Sequence, residues 1–376
     1  MKRTRARRAM GAFLLALCLL PVGARGDAEG VEQAAPQIAA RAAVLIDGAS
    51  GRVLFGANEC ELLPMASTTK VMTALLALEN CSLDERVTAG RNASGVPGTS
   101  IYLREGEQLT MEQMLLGLML RSGNDAAVAI AEHVAGSVEE FARLMNERAR
   151  ELDAQAHFVT PNGLDQDGHS ISALGLARVA RQAMTMPDFR RIVATQQAVI
   201  PWPGNDYDRL LTNKNRLLRE YEGATGIKTG YTTRAGRCLV FSAEREGMEL
   251  IGVVLGCGAW FDSAQELLDW GFARYSAATA ARAGETIARA AVRGGERREV
   301  ALVAEADVQA AVCESDRWQV LLEVDEPRAP IRAGQACGRL ILEVNGEAMG
   351  QCALLAGEDV EKWNFWTALW RVLGRF

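Results

Sequence analysis

Residues 65–79 read MASTTKVMTALLALE, and this stretch decides the fold. Ser67 and Lys70 stand three apart, a spacing that puts both side chains on one face of a helix start. The run VMTALLAL behind them offers no polar segment, so the helix is expected to be central and buried rather than a two-faced surface helix. Burial disfavours an ammonium and pushes a lysine toward the neutral amine, which is a usable general base. A serine hydroxyl becomes a nucleophile when such a base accepts its proton. The positive end of the helix favours the negative charge that then develops. Taken alone, the same letters also describe an ordinary helix start with a solvated lysine, because Ser-x-x-Lys recurs by chance.

Two further stretches bear on the choice. RSGNDAAVAIAEHVAG places Ser122 and Asn124 just ahead of an alanine-rich helix, where both residue types also serve as caps. GATGIKTGYTTRAG places Lys228, Thr229 and Gly230 where the chain enters an apolar strand. Glycine there permits close approach of another backbone, and an edge strand can pair with a peptide. The bland alternative is a turn with a solvated lysine. The three stretches occur in order, Ser122 following Ser67 by 55 residues and Lys228 following Ser122 by 106. The conjunction is far more specific than its parts, and it is the trio of penicillin-binding proteins and class A β-lactamases.

With LLPMASTTKVMTALLALE, PNGLD, NKNRLL, GIKTGYTTRAGRCLVFSAER and LLDWGFARY in this order, the chain resembles the low-molecular-mass D-alanyl-D-alanine carboxypeptidases, serine peptidases of the penicillin-recognising superfamily. The likeness covers nearly everything after the first 26 residues. It implies an α/β (α+β sandwich) catalytic domain of β-lactamase-like fold, a small all-β domain and a C-terminal amphipathic helix. It also implies roles: Ser67 as acylated nucleophile, Lys70 as its general base, Ser122 as proton relay and Asn124 as a hold on the peptide. Lys228 and Thr229, with Gly230 beside them, would bind the terminal carboxylate. The N–H groups of Ser67 and Tyr231 would form the oxyanion hole. The implied substrate is a cell-wall pentapeptide ending in D-Ala-D-Ala, with β-lactams as inhibitors and no cofactor. One departure stands out. Relatives often carry an arginine that grips the carboxylate shortly before the WGF helix, where this chain reads GAWFDSA with Trp260 at the matching place. Either Arg234 or Arg237 takes its place, or the preference for a terminal D-alanine is weaker.

Two other readings share the motifs. A class A β-lactamase adds a Glu-x-x-Leu-Asn pattern between the second and third motifs, and none occurs between Ser122 and Lys228. A catalytically silent peptidoglycan-binding or penicillin-sensing protein would be marked by loss of a motif residue, and none is lost.

Outward from the motifs, AAVLID and RVLFGAN predict a hairpin at 42–58, with helices near 110–121, 124–135, 138–152 and 173–184. RCLVFSAERE and MELIGVVLGC reverse at Gly247, and SAQELLDWGFARY closes the region near 275. The catalytic domain is therefore expected at 27–278, with its terminal segments sharing one sheet. SAATAARAGE (276–285) has the composition of a linker, and 285–356 alternates like a small β domain with Asn-Gly punctuation.

The two ends carry targeting signals. Five cations precede an apolar stretch from Ala9 to Val22, and Ala24 and Gly26 suit a cleavage site, the plan of a signal peptide over residues 1–26. Residues 359–376 place Trp363, Trp366 and Trp370 on one helical face, the pattern of a helix lying in a membrane interface, or else of a terminal helix docked on the protein's own core or in a dimer. The expected location is the outer face of the cytoplasmic membrane. Without 1–26 the chain keeps 35 Lys and Arg against 47 Asp and Glu, a net of -12, which argues against nucleic acid as a partner. Seven of eight cysteines remain, with no Cys-x-x-Cys, and the three histidines make no His-Glu-x-x-His, so no metal is expected. Cys313 with Cys337 or Cys352 is the candidate disulfide.

Overall fold

The structure is a computed structural model that describes residues 13–17 and 34–363. Two compact units divide the chain, with the boundary between Arg274 and Tyr275.

In the first unit one antiparallel sheet joins both ends of the segment. Its strand order is Ala224–Thr232, Gly236–Arg245, Met248–Leu255, Ala42–Asp47 and Val53–Ala57. The early strand Ala42–Asp47 pairs with the late strand Met248–Leu255 along its whole length, as the sequence led us to expect. Side chains alternate across the sheet. Val44 and Ile46 enter the helical core, whereas Leu45 lies under Gly271 on the opposite face. The Lys-Thr-Gly strand, Ala224–Thr232, is the edge of this sheet.

The helices are α1 Lys70–Asn80, α2 Met111–Leu120, α3 Asn124–Ala135, α4 Val138–Glu151, α5 Ala173–Met184, α6 Pro187–Ala194, α7 Leu217–Glu220 and α8 Trp260–Arg274. Every residue of α1 from Lys70 to Ala77 is buried, because α2, α3, α4 and α5 all pack against it. The expected helices are thus found within a residue or three of their predicted bounds. α6 and the hairpin Gln197–Ile200 with Arg209–Thr212 were not anticipated.

The second unit is all-β. Its larger sheet runs Phe13–Leu17, Trp318–Val324, Ala336–Val344, Glu347–Ala356, Glu299–Ala304 and Thr286–Ala291. Asn345 and Gly346, at φ 55° and 85°, make the tight reversal between two of these strands. Two expectations are corrected here. The stretch with linker composition contains the strand Ser276–Ala281, paired with Val308–Val312. Its alanines mislead as composition, yet Ala278 and Ala281 are small enough to pack flat against that partner and are buried. The anchor helix expected from 359 is not helical at its start. Val360 is buried and bridges Ile331, Lys362 bridges Gly295, and Asp359 and Glu361 both pair with Arg332. Backbone bridges and ion pairs hold these residues extended, so a helix could begin only later. Residues 364–376 lie outside the described residues, as do 1–12 and 18–33, which include most of the expected leader over 1–26. Cys313, Cys337 and Cys352 are free thiols.

Candidate active site

The chain enters α1 through a 3-10 turn, Ala66–Thr69, which holds Ser67 half-buried one turn ahead of the helix. Lys70 is the first residue of α1 and is 0% exposed. Its Nζ has three neighbours: Ser67 Oγ at 2.9 Å, Asn124 Oδ1 at 2.7 Å and the carbonyl oxygen of Asn162 at 2.5 Å. Two of these can only accept. A neutral amine has two N–H donors for them and one lone pair left for the third partner, the serine hydroxyl, which can donate. The coordination therefore suits the free base.

Electrostatics act in the same direction. Burial holds the Lys70 amine well below its ordinary range, and the charges of Lys228 and Lys214 lower it further against a weaker opposing pull from Asp125.

Asn124 opens α3, and its side chain does not cap that helix. Its Nδ2 donates to the carbonyl of Pro97 at 2.7 Å, which turns Oδ1 toward Lys70. Ser122 is buried two residues earlier at φ 64°, in the turn between α2 and α3. The capping alternative for Asn124 is thereby set aside. Asn124 is the member of the Ser-Gly-Asn motif that meets the lysine.

Lys228 is 1% exposed on the edge strand, and its Nζ donates to the carbonyl of Thr229 at 3.0 Å. Burial lowers its pKa to about 7, with a smaller contribution from Lys214. Thr229 is buried, whereas Tyr231 stands 64% exposed. Gly230 has a different reason from the one expected. A Cβ there would sit 3.0 Å from the backbone nitrogens of both Ser67 and Thr68. Glycine thus lets the edge strand close on the serine turn, as much as on any ligand.

Several residues of the site carried no signal in the sequence beyond their place in the PNGLD stretch. Pro161 accepts from Thr73 Oγ1 at 2.6 Å, Asn162 supplies the carbonyl on Lys70, and Asp165 accepts from Thr232 Oγ1 at 2.8 Å. Gly163, at φ 80°, passes so close to the serine turn that a Cβ would lie 1.9 Å from the carbonyl oxygen of Ala66. This one loop therefore braces α1, the serine turn and the edge strand together. His169 supports this loop from behind, and Asp125 holds the separate segment about Ile101. His169 Nε2 lies 2.9 Å from Thr69 Oγ1, and its Nδ1 accepts from the N–H of Val159. The buried carboxylate of Asp125 accepts from the backbone N–H groups of Ile101 and Leu103.

The GAWFDSA stretch opens α8 with Trp260 half-buried. Arg237 lies opposite Tyr231 across the two strands, with its guanidinium 6.0 Å from the centre of the Trp260 ring and Nη1 bonded to the carbonyl of Gly258. Arg234 instead pairs with Asp167 at 3.1 Å. Of the two arginines, Arg237 is the one beside Trp260.

The comparisons with known proteins agree with this arrangement. A family model described as D-alanyl-D-alanine carboxypeptidase, peptidase S11, matches residues 29–259. A second, described as the C-terminal domain of penicillin-binding protein 5, matches residues 275–362, the β unit. The chain is similar to D-alanyl-D-alanine carboxypeptidase DacF of Bacillus subtilis, with 33% identity over 98% of both chains. It is also similar to DacC of Escherichia coli, with 33% identity over 89% of this chain and 88% of that one. Among solved structures, penicillin-binding protein 5 from Haemophilus influenzae superposes with a TM-score of 0.70 at 28% identity, covering 88% of this chain and 99% of that one. The chain belongs to the D-alanyl-D-alanine carboxypeptidase family of serine peptidases.

Proposed function

We propose that this carboxypeptidase acts on peptidoglycan pentapeptides through an acyl-enzyme on Ser67, with Lys70 as the base. The observation that carries this reading is the position of the buried Lys70 Nζ, 2.9 Å from Ser67 Oγ and otherwise surrounded by acceptors. Ser67 Oγ attacks the carbonyl carbon of the penultimate D-alanine while its proton passes to neutral Lys70. The N–H groups of Ser67 and Tyr231 donate to the oxyanion, where loss of one such donor costs about 3–4 kcal/mol. The C–N bond then breaks, and the departing D-alanine takes a proton from Lys70 by way of Ser122, with Asn124 holding both the lysine and the peptide. Water adds to the ester while its proton passes to Lys70; the bond from the acyl carbon to Ser67 Oγ then breaks, Lys70 returns the proton to Oγ, and the shortened peptide leaves. Lys228 and Thr229 bind the terminal carboxylate. A lysine with a pKa of about 7 takes up a proton readily when an anion arrives.

A β-lactam would acylate the same serine. The placement we propose is the outer face of the membrane, reached through a leader at 1–26 and held by residues 364–376. The apolar h-region and the tryptophan pattern of the sequence support it. Among the described residues no helix is long and apolar enough to cross a membrane.

The test is release of free D-alanine from diacetyl-Lys-D-Ala-D-Ala by the wild type and by Ser67→Ala. Release by the wild type and loss in the variant are expected. Equal release by both refutes the assignment of the nucleophile. A labelled penicillin adduct mapped to Ser67 identifies the acyl-enzyme, and a long adduct lifetime separates a peptidase from a β-lactamase. Deleting residues 364–376 should move the protein from the membrane to the soluble fraction. Unchanged fractionation overturns the anchor.

A further inference from the structure

A second cluster of reactive side chains lies at the far ends of the two helices that begin at the site. α1 starts at Lys70 and is followed by Cys81 as its C-cap, while α3 starts at Asn124 and carries His133 in its last turn. The cluster is thus about 16 Å down α1 from the catalytic lysine. Cys81 Sγ, a carboxylate oxygen of Glu85 and a ring nitrogen of His133 all lie within 4.8 Å of one another.

The three groups are already oriented. The N–H of Cys81 bonds to the carbonyl of Ala77 at 3.0 Å, which fixes the cysteine at the end of α1. The N–H of Ser82 donates to Glu85 Oε1 at 2.8 Å, leaving Oε2 to face His133 Nε2 at 3.2 Å.

We propose that Cys81, Glu85 and His133 form a binding site for a divalent cation of the zinc class. One thiolate, one carboxylate and one neutral imidazole balance a divalent charge. The mixed sulfur, nitrogen and oxygen set selects zinc or cobalt(II) over calcium and magnesium, which take oxygen ligands. Ligand bonds of about 2.0–2.3 Å in a tetrahedron need donor atoms about 3.5 Å apart. Glu85 and His133, with side chains 43% and 26% exposed, have room to rotate and close the 4.8 Å spread. Water completes the fourth position. Binding converts the thiol to thiolate and releases its proton to solvent. The spacing of 81, 85 and 133 gives no zinc motif, because the histidine arrives from another helix. The bound cation clips the distal ends of α1 and α3, whose near ends hold Lys70 against Asn124.

The test is cobalt(II) titration of the purified full-length protein, followed by its absorption spectrum. One equivalent should bring up a thiolate-to-cobalt charge-transfer band in the near ultraviolet, with tetrahedral d–d bands in the visible. Cys81→Ser should abolish the former, and His133→Ala should weaken both. Zinc at a hundredfold excess over its dissociation constant should raise the wild-type midpoint by roughly 5 °C and leave Cys81→Ser unmoved. Metal-free Cys81→Ser should release D-alanine at the wild-type rate. No charge-transfer band, a band that survives in Cys81→Ser, or an equal zinc-induced rise in that variant overturns the proposal. The last two outcomes would place the metal on another thiol, such as the exposed Cys60.

Discussion

Lys228 is a buried amine that the fold holds at a cost, and replacing it should make the protein more stable. Its side chain is enclosed on the edge strand with the carbonyl of Thr229 as partner. Burial takes its pKa from the ordinary 10.5 to about 7. At 1.36 kcal/mol per pKa unit, keeping the ammonium inside costs about 5 kcal/mol. Above about pH 10.5 both folded and unfolded chains hold a neutral amine, and the cost is absent. Between 10.5 and 7 the unfolded chain keeps a proton that the folded one gives up, so stability falls as the pH drops. Below 7 both are protonated and the full cost applies.

Lys228→Met keeps the volume and removes the charge. After about 1 kcal/mol for the lost hydrogen bond, the variant should be more stable by about 2–4 kcal/mol at pH 7. That gap should close by about pH 10. Urea melts of both proteins at pH 6, 7, 8.5 and 10 measure it. A variant less stable at pH 7, or a gap that does not narrow toward pH 10, refutes the reasoning. D-alanine release gives a second readout. KM should rise through loss of the carboxylate's partner. Because the charge of Lys228 lowers Lys70, its removal should also move the acid limb of kcat/KM to higher pH.

Gly163→Ala should cost about 2–4 kcal/mol of stability and at least tenfold in kcat, since a Cβ would meet the Ala66 carbonyl and shift the Asn162 carbonyl off Lys70. A urea melt and the D-alanine assay check both numbers. His169 is held to about 4 from 6.5, first by burial and then by His157. The unfolded chain therefore gains a proton before the folded one does, and stability should drop by about 3 kcal/mol as pH falls from about 6.5 to 4. His169→Gln should flatten that slope in denaturant melts across the range. Arg237→Ala should raise KM for a peptide ending in a free carboxylate and leave its C-terminal amide analogue unchanged, which steady-state kinetics on the pair will read. Equal effects on both would remove Arg237 from the carboxylate.

Much of the site was legible because its chemistry is local. Ser67 and Lys70 share one helical turn, and the run behind them calls for burial, so a lysine at the edge of the core was the reading those letters favoured once the other two motifs were beside them. The hairpin, the helices from 111 to 151 and the strands about Gly247 likewise follow from period and turn chemistry. Composition failed where burial depended on a partner. Ser276–Ala281 reads as a linker until Val308–Val312 is laid beside it, and residues 359–362 read as a helix until Ile331 and Arg332 claim them. Trp260 showed only that an arginine was absent. That Arg237 lies beside it is a matter of strand register.

By itself, the sequence determined the pairing of Ser67 with Lys70, which rests on spacing within one element, and the motif order and two-part organisation, which rest on the order of letters along the chain. Only the tertiary structure decided what neutralises and aims that lysine. The carbonyl of Asn162, 92 residues away, and the Asn124 amide, turned by Pro97, reach it across loops whose positions no periodicity encodes. The same is true of Cys81 and His133, which meet because α1 and α3 pack side by side. Such contacts are set by how helices and loops pack in three dimensions, and a linear pattern carries no record of them.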